Sequence, residues 1–361
     1  MKGAFMFMHA TSPGRAGKRS IATGVAFTAF AAALNAGVPA ASIAAPLAGP
    51  HLRTAPRFAA AAPGPPRGYR AAPNSAFAAT AGAGFRATFD GQTFSTLTHT
   101  PIQYPIGLAI DSKGDLYIGN HYNSAGQILV YTESGQQLPS RTITKRLTNP
   151  AGLAIDEAGD LYEADASTQK VNVFSPKGAP LPAKSFAVNN PQGQYALSGI
   201  QLDSAGNVWV ALRDNSDIGI GLIEIYDSAK QLKTSITAGL VYPLGIIFGK
   251  TGDAYVANAE EPNDAMTVYS PAGKLLRSIS TPGCAPTYDS FDKQGTIWVT
   301  CALENDFEKI TTSGKVLLTV TSGVDAPYGI AVAPNGDVWV ANVSASVNEY
   351  TPAGKLVRTL K

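Results

Sequence analysis

The side chains best suited to catalysis are scarce in this sequence. There are four histidines, His9, His51, His99 and His121. His9 lies in the expected secretion signal and His51 in the expected linker, which leaves only His99 and His121 near the first repeat, so a three-histidine zinc site is not available. No Gly-x-Ser-x-Gly segment and no Ser/His/Asp arrangement offers an activated nucleophile. Carboxylates, amides and phenols remain. Asn120, Asn149, Asp165, Asn258 and Asn342 could together hold a divalent ion acting as a Lewis acid. Asp214, Asp217, Glu260, Glu261, Asp264, Glu304 and Asp306 are hard oxygen donors, suited to Ca²⁺ or another divalent cation, or to a cationic partner. Their spacing follows no metal-loop pattern, so a solvated acidic rim is the competing reading. No segment calls for an organic cofactor.

These residues sit on a repeat. Gly107-Leu-Ala-Ile-Asp111-Ser-Lys-Gly114-Asp115-Leu-Tyr117 recurs from Gly152 to Tyr162, from Gly199 to Trp209, from Gly245 to Tyr255 and from Gly329 to Trp339. The fifth copy is degenerate at its start and resumes at Phe291-Asp292-Lys-Gln-Gly295-Thr-Ile-Trp298. The six aromatics lie 45, 47, 46, 43 and 41 residues apart, and all three tryptophans occupy this slot. A period of 40–50 with alternating strands predicts an all-β fold, a six-bladed β-propeller of four-stranded antiparallel blades. In each blade strand A is the Gly-Leu-Ala-Ile run and strand B carries the aromatic. Strand C ends in pairs such as Val130-Tyr131, and strand D follows a second glycine turn. Expected D strands include Arg141–Thr144, Lys184–Ala187 and Leu356–Leu360. Asp111, Asp156, Asp203 and Asp292 recur at one turn position, which marks turn chemistry rather than catalysis. A seventh D-like stretch, Thr93–Thr98, precedes the first strand A and is expected to contribute to closing the sixth blade.

The pattern resembles the NHL-repeat family. Its leading proline is matched at Pro105, Pro150, Pro243 and Pro327, and its aromatic strand by Tyr117, Tyr162 and their equivalents. The resemblance spans about three quarters of the chain. It implies a propeller and leaves function open, since such folds serve as binding modules, sensors and scaffolds of some enzymes. The Glu-Gly-Pro-x-Trp segment expected of gluconolactonase-like propellers is missing, which weakens the alternative of a metal-dependent hydrolase or lactonase.

In a propeller the D–A and B–C connections share one face. Here they vary in length and carry Tyr104, His121, Asn149, Asp165, Tyr195, Arg213, Tyr242, Asn258, Tyr288, Tyr328 and Asn342. Variable loops on a rigid scaffold are where binding concentrates, and tyrosine brings rigid apolar area with a polar tip. A protein, peptide or glycan partner is therefore expected at this face. The bland alternative is that the tyrosines only cover the ends of strand A.

Residues 1–89 hold nine basic and no acidic residues, whereas the remainder holds 19 basic and 26 acidic ones. An acidic body excludes nucleic acid as the expected partner. Lys2, Arg15, Lys18 and Arg19, the apolar run Ile21–Ala36 and small residues at Ala40 and Ala44 read as a secretion signal, residues 1–44. An uncleaved anchor is the alternative. It is disfavoured because the run is rich in Ala, Gly and Thr for a span of ~20 apolar residues. Residues 45–92, rich in Ala, Pro, Gly and Arg, read as a disordered linker, and residues 93–361 as the propeller. The expected product is an exported, periplasmic or extracellular monomer with no membrane span after cleavage. In that compartment Cys284 and Cys301, the only two cysteines, are expected to form a disulfide.

Overall fold

The computed structural model describes the strands Arg86–Phe89 and Gln92–Ser95 and residues 100–122, 125–190, 193–214, 221–259 and 265–361. The expected signal and most of the expected linker lie outside them. So do His99, Asp217, Glu260, Glu261 and Asp264.

Six antiparallel sheets form six blades. Their inner strands A are Pro105–Ile110, Pro150–Ile155, Tyr195–Leu202, Pro243–Phe248, Pro286–Phe291 and Pro327–Val332. Strands B are Leu116–Tyr122, Leu161–Asp165, Val208–Asp214, Ala254–Asn258, Ile297–Cys301 and Val338–Asn342. Among the described residues the one helical element is a single 3-10 turn, Pro139–Arg141, and no helix is long and apolar enough to cross a membrane.

The A–B hairpin shows how sequence dictates the turn. Asp111 Oδ1 accepts the Lys113 and Asp115 N–H groups, and the Asp111 carbonyl accepts from Gly114, whose φ is 86°. An aspartate that closes its own turn followed by a residue free to take positive φ is the required pair. Asp156 and Asp203 repeat the arrangement, and Asp292 keeps its last bond, from the Thr296 N–H. Strand B then delivers its aromatic to the gap between blades. Trp209 meets Phe248 of the fourth blade edge-on at 5.3 Å, and Tyr255 meets Phe291 of the fifth at 5.2 Å. On the outside a basic residue of each of several blades covers the ring. Arg141 lies over Tyr117, Arg277 over Tyr255 and Lys309 over Trp298, each 5.1–5.6 Å from the ring centre.

Inner-strand glycines set the width of the ring. A Cβ at Gly107, Gly152, Gly199 or Gly329 would fall under 3.0 Å from a backbone carbonyl of the next blade. Only a residue without a side chain lets the inner strands approach this closely.

The expected closure by Thr93–Thr98 is corrected. Leu356–Leu360 pairs with Ser346–Tyr350 and completes the sixth blade, whereas Gln92–Ser95 pairs with Arg86–Phe89 in a separate two-stranded sheet. The C-terminal strand follows its partner through a tight turn at Gly354, so pairing it costs far less loop-closure entropy than recruiting a strand some 250 residues away, at ~(3/2)RT ln n. The seam between sixth and first blades is side-chain packing. Trp339, Ala341, Val347 and Leu360 share one core with Leu108, Leu116, Ile118 and Leu129. Blades one and two also depart from the expected outer strand. The first has three strands plus isolated bridges at Ile128–Ile143 and Tyr131–Gln137, and the second has the short strand Phe186–Ala187 and a Phe174–Pro180 bridge. Pro139 in the first and Pro180 and Pro182 in the second remove the N–H donors a longer ladder would need.

Candidate functional site

Three residues beyond the aromatic, strand B carries Asn120, Asp165, Asn258, Cys301 or Asn342 in five blades, each bonded to the D–A segment of its own blade, and Leu212 in the third. Asn120 accepts the Gln103 N–H at 2.6 Å and donates to the Pro101 carbonyl. Asn258 accepts from the Val241 N–H, and its amide reaches the Ala265 carbonyl and Thr267. Asn342 accepts from the Asp325 N–H and donates to the Gly323 carbonyl and Ser346. Asp165 takes four N–H groups, from Thr148, Asn149, Ser167 and Thr168. These side chains spend their polar atoms pinning the loops. In the fifth blade the slot belongs to Cys301, and its partner Cys284 stands two residues before the inner proline. The disulfide, with Cα atoms 4.8 Å apart, replaces the amide clamp with a covalent one.

The tyrosines divide into two groups. Tyr242, Tyr288 and Tyr328 are buried and converge on the axis with Arg213. The Arg213 guanidinium donates to the Tyr242 hydroxyl at 2.6 Å and lies 5.3 Å from that ring's centre. The Tyr288 and Tyr328 rings are 6.3 Å apart. The Tyr288 hydroxyl reaches across the tunnel to the Ala151 carbonyl of the opposite blade, at 3.4 Å. Burial pushes both hydroxyls well above the ordinary phenol range, and the Arg213 charge pulls each part of the way back. Together with Ile106, Ala151 and Leu244, these rings plug the tunnel at the loop face. Tyr104 and Tyr195 are half-buried at the rim, where Tyr195 is held through the Asn190 side chain. Tyr104 and Tyr242 adopt φ near +50°, but so does Ala326 at the same place in the sixth blade. That conformation belongs to the repeat and not to a tyrosine-specific role.

His121 is half-buried, and burial lowers its pKa more than the Asp165 charge raises it. Asn149 is buried, with its N–H on Asp165 and its carbonyl accepting from Ala166. Asp214 is buried in register with Tyr195. Asp306 lies apart from these in the fifth blade, where burial and the charges of Glu308 and Glu304 push its pKa up to about 6. Glu304 accepts the Ala285 N–H. Among the described His, Cys, Asp and Glu residues the one set of three donors within 4.8 Å is Cys284, Cys301 and Glu308, and its two sulfurs are joined to each other. Asn120, Asp165, Asn258 and Asn342 come from separate blades, and each has a side-chain oxygen that accepts a backbone N–H of its own blade.

Glu163 and Asp289 are among the buried carboxylates that the sequence did not single out. Glu163 is fully buried and takes one bond, from the Asn172 amide at 2.8 Å, leaving its other oxygen without a partner. Asp289 is buried on the inner strand of the fifth blade and has no partner on either oxygen. Its signal is the register. Counting back from Trp298 places Tyr288 and Asp289 where other repeats read Gly-Leu or Gly-Ile.

No family model matches the chain, and no curated protein matches it in sequence. Solved structures are similar in fold. A catalytically inactive virginiamycin B lyase from Staphylococcus aureus with quinupristin shares 18% identity at a TM-score of 0.54, over 73% of this chain and 86% of that one. A luciferin-regenerating enzyme shares 17% at 0.54, over 67% and 85%. Regucalcin from Agrobacterium tumefaciens, a calcium-binding protein, shares 14% at 0.54, over 67% and 82%. At such identities the likeness establishes one thing, that this chain is a six-bladed β-propeller.

Proposed function

We propose that this protein is an exported binding module whose loop face takes a protein, peptide or glycan partner. The observation that carries the reading is the division of labour at that face. Asn120, Asn258 and Asn342 clamp the loops, while half-buried Tyr104 and Tyr195 flank a mouth plugged by Arg213, Tyr242, Tyr288 and Tyr328. A rigid floor with tyrosines on its rim suits recognition by rings and hydroxyls. Export rests on the basic and apolar N-terminus and is supported by the disulfide. The test is binding of the purified protein to glycan and peptide libraries, repeated with Tyr104→Ala and Tyr195→Ala. Specific hits lost in both variants, with unchanged melting temperatures, support the reading. Hits indifferent to both sink it.

A second reading, a metal-dependent hydrolase or lactonase, is favoured by the fold of its neighbours, among which are enzymes and a calcium-binding protein. It predicts that Ca²⁺, Mg²⁺ or Zn²⁺ raises the melting temperature of the chelator-treated protein, by mass action on the folded state. No shift with any of the three removes it.

A further inference from the structure

A cleft of about 540 Å³ lies outside the tunnel, between the connection from the first to the second blade and the outer part of the second. Its origin is the broken outer strand. Pro180 and Pro182 interrupt the ladder, and strand D is left as the two residues Phe186–Ala187. The space is of the size that small ligands occupy. Arg146, Thr148, Thr168 and Lys170 line it, together with apolar Leu147 and Pro182. Among the described residues no acidic one is part of the wall, although the body holds 19 basic and 26 acidic residues.

Arg146 stands where the repeat uses glycine. Thr237-Ala-Gly239, Thr281-Pro-Gly283 and Thr321-Ser-Gly323 open the connections that leave the third, fourth and fifth blades, and their glycines adopt φ of 76°, 78° and 76°. The connection that leaves the first blade reads Thr144-Lys-Arg146, and Arg146 adopts φ 65°. The conformation belongs to the repeat, but the side chain does not, and this region of φ disfavours any residue with a Cβ. A residue kept under such strain points to a use for its side chain. Arg146 and Lys170 are exposed, and neither side chain has a hydrogen-bond or ion-pair partner among the described residues. Two carboxylates lie behind the wall and not in it. Asp165 is buried and takes N–H groups from Thr148 and Thr168, and Glu163 is buried on the Asn172 amide. Burial pushes the Glu163 carboxyl well above the usual carboxylate range.

We infer that the cleft binds a carboxylate-bearing sugar of an acidic glycan, its carboxylate on Arg146 and Lys170 and its hydroxyls on Thr148 and Thr168. The inference rests on the reading of the loop face as a binding face and names the chemistry of its partner. A guanidinium grips both oxygens of a carboxylate at once, and an ammonium in the same wall adds a point charge. Leu147 and Pro182 offer an apolar wall to the C–H face of a sugar ring. An acidic peptide fits less well. An extended peptide is taken up by pairing with a free strand edge, and here Pro180 and Pro182 break that edge.

The test is calorimetric titration of the full chain, at low ionic strength, with tri-galacturonate, its methyl ester, acetate and tri-glutamate. Saturable binding of tri-galacturonate is expected, with the other three at least tenfold weaker. Arg146→Gly installs the residue of the other connections, so it should keep the melting temperature while weakening tri-galacturonate at least tenfold. Lys170→Gln should weaken it at least fivefold, and Lys145→Ala, outside the wall, less than twofold. The inference is overturned by absence of saturable tri-galacturonate binding to the folded protein, by equal binding of the methyl ester, by unchanged affinity in Arg146→Gly or Lys170→Gln, or by an equal loss in Lys145→Ala. It is also overturned if tri-glutamate binds as tightly, the outcome of an acidic-peptide site or of charge alone, as on the basic N-terminal segment. Tyr104→Ala and Tyr195→Ala separate this inference from the role of the tyrosine rim. Affinity lost in Arg146→Gly and kept in both tyrosine variants supports the cleft and removes the rim, and the reverse overturns the cleft.

Discussion

The fifth blade and the other five solve the same packing problem with different residues. Elsewhere a glycine lets the inner strand approach its neighbour, an aliphatic residue lines the tunnel, and in most blades a strand-B amide or carboxylate pins the D–A loop. In the fifth blade these positions are Tyr288, Asp289 and Cys301. The tyrosine fills the tunnel that the glycines leave narrow, the aspartate puts a buried carboxyl where the other blades have Leu or Ile, and the cysteine makes a reversible clamp permanent. A repeat tells a reader what the scaffold needs at each position. The copy that breaks the rule three times within fourteen residues, from Tyr288 to Cys301, is where the protein departs from scaffold requirements.

Moving the fifth blade's solution elsewhere should have the largest effect. Gly329→Ala drives a Cβ against the Ile106 carbonyl at the seam of the ring. It should cost about 3 kcal/mol or more in a urea melt, at the upper end of overpacking changes, because backbone cannot step aside as a side chain can. Removing the covalent clamp comes next. Cys284→Ala with Cys301→Ala should lose about 3 kcal/mol, from the 17-residue separation it no longer closes. Cys284→Ala with Cys301→Asn, which installs the clamp of the other blades, should recover about 1 kcal/mol of that. Equal stability of the two double variants would show that the amide clamp does not transfer. Asp289→Leu, which restores six aliphatic residues around the tunnel, should stabilise the protein by about 1–3 kcal/mol by removing an unanswered buried polar group. A destabilised variant would mean that the carboxyl has a folded-state partner.

The smallest effect is electrostatic. The folded pKa of Asp306, about 6, lies above its unfolded value near 4. The native state therefore holds the extra proton between those values, and stability should rise as pH falls through that window. Melting temperatures taken between about pH 7 and pH 5 should show the rise, and Asp306→Asn should reduce it. Glu308 and Asp289 shift in the same direction and Asp292 in the opposite one, so part of the slope should remain.

The ring was legible because six aromatics at nearly one spacing leave little choice of fold. Strands A, B and C followed from alternation and turn glycines. The D strands of the first two blades were not legible, because Pro139, Pro180 and Pro182 interrupt ladders that composition alone would extend. The mouth was read less well, for an instructive reason. Recurrence at one turn position marked Asp111, Asp156, Asp203 and Asp292 as structural. The same reasoning applied three residues after the aromatic would have marked Asn120, Asp165, Asn258 and Asn342 as loop clamps. Sequence spacing shows that an amide is at the end of strand B but not that its oxygen turns back to the loop. The convergence of Arg213, Tyr242, Tyr288 and Tyr328 depends on four separate blades or loops, and such distances are visible only once the ring is closed.

Because each blade is folded from one unbroken stretch of chain, no described strand latches the circle. A propeller fastened by an N-terminal strand beside a C-terminal one holds its ends together through backbone hydrogen bonds that tension must shear. Here, among the described residues, the first blade is held to the sixth by the apolar seam between Trp339 and Leu116 and their neighbours and by the bond from the Arg358 guanidinium to the Ser134 carbonyl. The first blade can then be peeled from the sixth while the sixth keeps all four of its strands. The same layout lets the chain be re-cut. New ends placed in any D–A loop, with the old ones joined by a linker, leave every hydrogen-bonded blade intact, so the ring has a seam but no first blade.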